Sequence, residues 1–150
     1  MSMNKISMYV DYCIELDKYD PDEETYPINQ AKQVAKEYLQ RDDFVWTPIY
    51  DGIDEVGFLI TADDLPFFGN GKYICEAYIR PDHRKRGLMT QTVQEMLKKC
   101  SIVHLEVFMA NPAIWFWTHM FSETGFKEIV AEPSPLTHGA MHWAYEKRGS

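Results

Sequence analysis

The segment YIRPDHRKRGLMTQTVQEMLKK, Tyr78 to Lys99, concentrates Arg84, Lys85 and Arg86 just before Gly87 and an amphipathic run. A strand ending near Ile79, a short turn and a helix opening near Gly87 would present unpaired backbone N–H groups. The helix dipole adds about half a positive charge at the same point. Such a turn is an anion cradle suited to phosphate. Gly87 allows close backbone approach to a ligand, and Thr90 can add a hydroxyl from the first turn. The alternative is a solvated basic turn. Two carboxylates offer a second chemistry. Glu76 interrupts the otherwise apolar KYICEAYI, where desolvation raises a carboxyl toward the range of a general base. An ion pair with Arg80 or Lys72, or an exposed strand face, is the structural alternative. Glu106 poses the same question in IVHLEVFM. His119, on an apolar helix, is a candidate proton donor or a core or rim residue.

These groups must be positioned by one chain of 150 residues with a formal net charge of -8. That length fits one domain, 1–150, with a variable helical region at 1–43 and a cofactor-binding core at 44–147. The acidic balance argues against nucleic acid as a partner, because non-specific affinity for it comes from many phosphate contacts by Lys and Arg. It suits a cationic ligand. No apolar run approaches a membrane span, and MSMNKISMYV lacks a signal-peptide h-region, so no membrane association is expected. Cys13, Cys75 and Cys100 lie in apolar stretches without a C-x-x-C pair, which reads as reduced thiols in a cytoplasmic protein. No metal is expected: His104, His138 and His142 lack ligand spacing with the cysteines, and H-E-x-x-H does not occur.

The elements follow from periodicity. A short helix is expected around DYCIELDKY, with Tyr12, Leu16 and Tyr19 on one side, and DPDEETYP reads as an acidic turn. INQAKQVAKEYLQRDD is a helix with Asn29 as a possible cap. FVWTPIY and EVGFLIT flank Asp51-Gly52, a hairpin whose loop is read as longer than two residues because Ile53-Asp54 follows. KYICEAYI reads as a central strand. Met89, Thr92, Val93, Met96, Leu97 and Cys100 trace a helix, IVHLEVFM a strand, and Asn111 caps a helix closed by Gly125. FKEIVAE and AMHWAYEK are the last strands. Trp115, Phe116 and Trp117 read as a helix buried on two sides, with a substrate pocket or homodimer contact as alternatives.

Arg84-Lys85-Arg86-Gly87-Leu88-Met89 resembles the Q/R-x-x-G-x-G/A signature of the GCN5-related N-acetyltransferases, the GNAT superfamily. NPAIWFWTHMFSETGF resembles that family's N-x-x-A…Y-x-x-x-G-F segment. The resemblance implies a mixed α/β fold with a mostly antiparallel central sheet flanked by helices on both faces. It implies an acetyl-CoA-dependent N-acetyltransferase acting on a primary amine of a small molecule or peptide by direct attack in a ternary complex. A non-catalytic acetyl-CoA-binding module of the same fold is the alternative.

The resemblance places the cofactor contacts at Ala77, Tyr78, Ile79, Arg84, Lys85, Arg86, Gly87, Leu88, Met89, Thr90 and Asn111. Glu76, Glu106 and His119 remain the catalytic candidates. Two departures stand out. Met89 occupies a position usually Gly or Ala, and the periodicity turns its side chain into the core. Phe121 occupies the position, four before Gly125, where the family often has a tyrosine acid.

Overall fold

The computed structural model describes residues 2–20 and 27–149. Most of the acidic turn, residues 21–26, lies outside the described residues. Helices α1 (Ser2–Asp17) and α2 (Ile28–Gln40) precede strands β1 (Phe44–Asp51), β2 (Asp54–Asp63) and β3 (Lys72–Ile79). Then come α3 (Leu88–Leu97), β4 (Ile102–Phe108), α4 (Ala113–Glu123), β5 (Phe126–Pro133) and β6 (Ala140–Lys147). The six strands form one sheet in the order β1-β2-β3-β4-β6-β5. Every neighbouring pair is antiparallel except β3–β4.

Side-chain alternation along the strands supplies two apolar faces. Phe58, Ile60 and Tyr78 pack with Met8, Tyr9, Tyr12 and Cys13 of α1 and Ala31 and Ala35 of α2. On the other face Leu59, Ile79, Val103 and Leu105 pack with Val93 and Leu97 of α3 and Met120 and Phe121 of α4. The sheet is therefore flanked by helices on both faces.

Helix α1 is longer than the short run expected, because Met8 and Tyr9 carry its buried stripe back from Tyr12 and Cys13. Helix α2 opens after Pro27, at φ -60 and ψ 135, with no side-chain cap, so Asn29 lies within the helix and does not cap it. The β1–β2 hairpin is tighter than expected: Asp51 pairs with Asp54, leaving a loop of Gly52 and Ile53. Gly52, at φ 66, takes the left-handed turn position. In α4, Trp117 is buried, but Trp115 is 76% exposed. Two-sided burial is thus corrected: three consecutive helical residues sweep about 200° of the helix, more than the sheet covers.

Two irregularities in β3 open one end of the sheet. Ile60 pairs with Glu76 and Thr61 with Ile74, so Cys75 is an extra residue, a β-bulge. Parallel pairing with β4 then covers only Lys72 to Ile74 against Val103 to Leu105. Beyond that point the two strands diverge.

Candidate active site

The divergence opens a cleft of about 230 Å³, walled by β3 and β4 and lined also by Tyr12 and Leu16 of α1 and Trp117 of α4. Glu76, Ala77, Glu106 and Asn111 all line it. The β4-facing backbone groups of β3 past Ile74 have no ladder partner, which leaves N–H and C=O groups for a ligand.

The basic turn sits at the end of β3, after a 3₁₀ turn at Pro81–His83. Lys85 and Gly87 both have positive φ, 67 and 75, and Gly87 opens α3. A Cβ at Gly87 would meet no heavy atom within 4 Å. The helix start is therefore open to a ligand, as an anion cradle requires. The side-chain charges are deployed differently from the sequence reading. Arg84 donates from Nε to the Ile79 carbonyl and from both terminal nitrogens to Glu15. Arg86 and His83 both hold Asp51. Lys85 makes no ion pair among the described residues. Leu88 and Met89 are half-buried and pack on the core, Met89 as its periodicity implied. Thr90 is half-buried in the first turn of α3.

Glu76 projects toward α1. Tyr9 Oη donates to its Oε2 at 2.5 Å, and the Tyr12 hydroxyl lies near enough to favour the ionised carboxylate. Neither of the alternative ion pairs forms: Lys72 binds Asp63 at 2.9 Å and Arg80 binds Asp11 at 3.4 Å. Burial raises the Glu76 pKa to about 7, and the two phenols oppose that rise. Burial, with the Glu76 charge second, raises both phenols well above the ordinary tyrosine range, so they remain donors.

Glu106 faces Glu76 from the opposite wall but is more fully committed. Tyr73 Oη donates to Oε1 at 2.7 Å, and Ser134 Oγ donates to Oε2. Ser134 Oγ in turn accepts from the backbone N–H groups of Leu136 and Thr137, at 3.1 and 3.0 Å. Glu106 thereby anchors the β5–β6 loop, whose Thr137 lines the cleft. Asn111 Oδ1 accepts from the Ala113 N–H at 2.9 Å, fixing the start of α4 beside the cleft.

His119 lies on the exposed side of α4, outside the cleft lining. Phe121 is fully buried and stacks on Tyr145, with ring centroids 4.5 Å apart. His104 and His142 are buried and hydrogen-bonded to each other at 3.1 Å. Among the described residues, no group of three or more His, Cys, Asp or Glu is placed to hold a metal ion. No helix among them is long and apolar enough to cross a membrane. Sequence reasoning missed Tyr9, Tyr73 and Ser134 as site residues. In the sequence Tyr12 reads only as part of a helix face, and that face is the one signal pointing to the cleft.

A profile of the Acetyltransferase (GNAT) family matches residues 8–126. A search of curated proteins returns no match. Among solved structures, a spermidine N-acetyltransferase from Vibrio cholerae, in complex with CoA and spermine, superposes with a TM-score of 0.66 at 12% identity. The alignment covers 95% of this chain and 90% of that one. An acetyltransferase from Thermus thermophilus gives 0.61 at 15% identity, covering 90% and 88%. An uncharacterized protein from Bacillus halodurans gives 0.69 at 14% identity, covering 97% and 81%. At these identities the likeness is one of fold.

Proposed function

The chain belongs to the Acetyltransferase (GNAT) family, and from that premise we propose that it is an acetyl-CoA-dependent N-acetyltransferase. Its acceptor would be a primary amine of a small molecule or peptide, attacking directly in a ternary complex. The observation that carries this reading is Glu76: a carboxyl with a pKa raised to about 7, in a cleft that opens where β3 and β4 part.

The residues present fit the cofactor. The open, left-handed helix start at Gly87 admits a pyrophosphate, with the amides from Lys85 to Thr90 and the Lys85 charge to hold it. The β4-facing backbone groups of Ala77, Tyr78 and Ile79, apart from the Ile79 carbonyl that Arg84 holds, lie along the adjoining strand edge for the pantetheine, and Asn111 stands at the cleft's far wall. Bound there, acetyl-CoA would supply an activated thioester for the amine to attack, with the thiolate leaving as the thiol once it gains a proton.

Glu76 receives the proton that the substrate ammonium must lose before attack, directly or through one water. With its pKa near 7, it is partly ionised at neutral pH and able both to accept and to release that proton. Glu106, with its two oxygens held by Tyr73 and Ser134, serves as an electrostatic anchor for a cationic acceptor. An acidic chain and two carboxylates in one cleft favour acceptors with more than one positive charge. The free cysteines support action in the cytoplasm.

The test is release of free CoA from acetyl-CoA across a panel of amines that includes polyamines, aminoglycosides and basic peptides. Turnover with at least one amine, reduced ~10²-fold or more in Glu76→Gln, is expected. Acetyl-CoA binding without CoA release from any amine would instead make the chain a binding module.

A further inference from the structure

Helix α1 does more than wall the cleft. Its Tyr9 reaches Glu76 from behind: the residue is buried, does not line the cleft, and places its hydroxyl 2.5 Å from Oε2. Its ring is wedged among aromatic neighbours, stacked on Phe58 at 6.0 Å and tilted against Tyr38 and Trp46 at 5.8 and 6.3 Å. A phenol so enclosed has two torsions and nowhere to turn them. Tyr12 approaches the same carboxyl from the cleft side, packed edge-on against Phe58 and Tyr78.

We infer that Tyr9 and Tyr12 are positioning residues that aim the Glu76 carboxyl and set how readily it accepts a proton, an inference that rests on reading Glu76 as the base. Other described groups also lie near Glu76. Cys13 on α1 and Cys75 on β3 face it, and burial, with the Glu76 charge second, pushes both thiols up to about 12. Tyr73 on β3 is turned to Glu106, and the Tyr38 ring on α2 packs against that of Tyr9. Glu106 across the cleft carries the same sign. The nearest cations along β3, Lys72 and Arg80, are paired with Asp63 and Asp11.

Donors to a carboxylate favour its ionised form, whereas burial favours the protonated one. Two phenols that do not themselves ionise near neutrality offset part of the desolvation. Without them Glu76 would be protonated over more of the neutral range and would find the substrate proton harder to take. The phenol protons stay in place; only the proton from the ammonium moves, onto Glu76.

The test uses ¹³C-carboxyl-labelled glutamate in the full chain, with the Glu76 signal assigned by its loss in Glu76→Gln. In Tyr9→Phe the titration midpoint of Glu76 should rise by about one unit, roughly tenfold in proton affinity, and in Tyr12→Phe it should rise by less. Phenylalanine keeps each ring in the aromatic cluster, and thermal unfolding checks that the fold persists. If Tyr9→Phe does not fold, a rise in Tyr12→Phe carries the inference. Midpoints that stay put or fall in the folded variants overturn it. Acetyl transfer to spermine, as the probe amine, separates the two ideas. Should Glu76→Gln keep the wild-type rate and acid limb, the reading of Glu76 as base fails, while the titration still decides what the phenols do.

Discussion

Arg84 grips Glu15 through both terminal guanidinium nitrogens, at 2.7 and 2.6 Å, while its Nε donates to the Ile79 carbonyl at 2.7 Å. One side chain thus ties the end of β3 to α1, 69 residues earlier in the chain. Its guanidinium also lies over the Tyr78 ring at 5.5 Å. A residue that reads in the sequence as a free phosphate ligand is also a clamp between the basic turn and the helix that carries Tyr9 and Tyr12.

Arg84→Lys removes the fork but keeps the charge, so it should lower stability by about 1 kcal/mol, near the upper end for partly exposed pairs. Glu15→Gln should cost a similar amount, and the double variant should cost less than the two together. Urea denaturation of the four proteins measures the coupling. Additive losses would mean that the pair is ornamental and that Arg84 acts only through the ligand.

Gly87 combines φ 75 with open space where a Cβ would stand. Gly87→Val should cost ~1–2 kcal/mol of stability from left-handed strain alone. It should also weaken acetyl-CoA binding at least tenfold, about 1.4 kcal/mol, by crowding the helix start. Gly52→Val is the control, because Gly52 has φ 66, also faces open space and lies in the β1–β2 loop. Calorimetry should find acetyl-CoA affinity reduced in the first variant only. Equal affinities in both would remove the cradle.

The Glu76 carboxyl has a stability consequence that does not depend on turnover. Its folded pKa of about 7 lies above the ordinary value of 4.5, so the folded chain binds more protons between those two pH values. The protonated group's contribution is complete below about 4.5 and is lost as pH rises through about 7. Glu76→Gln has no such titration. Relative to wild type it should gain up to about 3 kcal/mol between about pH 4.5 and about pH 8. Urea midpoints measured across that range test this, and parallel profiles would contradict the half-buried, raised carboxyl.

Ser134 links Glu106 to the β5–β6 loop, and it does so through one hydroxyl that both donates and accepts. Ser134→Ala should loosen the loop that carries Thr137 while leaving the turn before α3 untouched. The expected signature is a KM for the amine raised several-fold, with acetyl-CoA affinity unchanged. A loss of acetyl-CoA affinity alongside the raised KM would place the loop nearer the cofactor than the cleft geometry does.

The strand and helix order was legible because each element repeats its own apolar period, and the basic turn announced itself by charge density. What could not be read was pairing across the fold. The destination of Arg84 depends on Glu15, and the donors to Glu76 come from Tyr9 and Tyr12, on a helix whose apolar stripe says only that it is buried. Glu76 itself was visible as a carboxylate in an apolar strand. Lys72 and Arg80, the partners it does not take, show why the neighbouring sequence was a poor guide: a strand's adjacent charges are drawn to whichever elements pack beside them. Trp115 departs from expectation for a similar reason, since helical spacing shows how many faces are apolar but not how many are covered.

Phe121 stands where the family resemblance places a tyrosine acid, and the structure explains why restoring that tyrosine would fail. Trp117, Met120 and Phe121, at i, i+3 and i+4, form the buried stripe of α4. That stripe points Phe121 at Tyr145, 4.5 Å away between ring centroids, and Phe121 is not among the residues lining the cleft. Phe121→Tyr would bury a hydroxyl in this ring stack, where an unpartnered hydroxyl costs ~1–3 kcal/mol. The variant should melt lower and release CoA no faster than wild type with any amine that supports turnover. Its acid-to-alkaline rate profile should also be unchanged, because the new phenol meets neither Glu76 nor the thiol leaving group. A rate increase of tenfold or more, with stability retained, would show that α4 can rotate this position into the cleft and that the leaving thiolate is protonated from there.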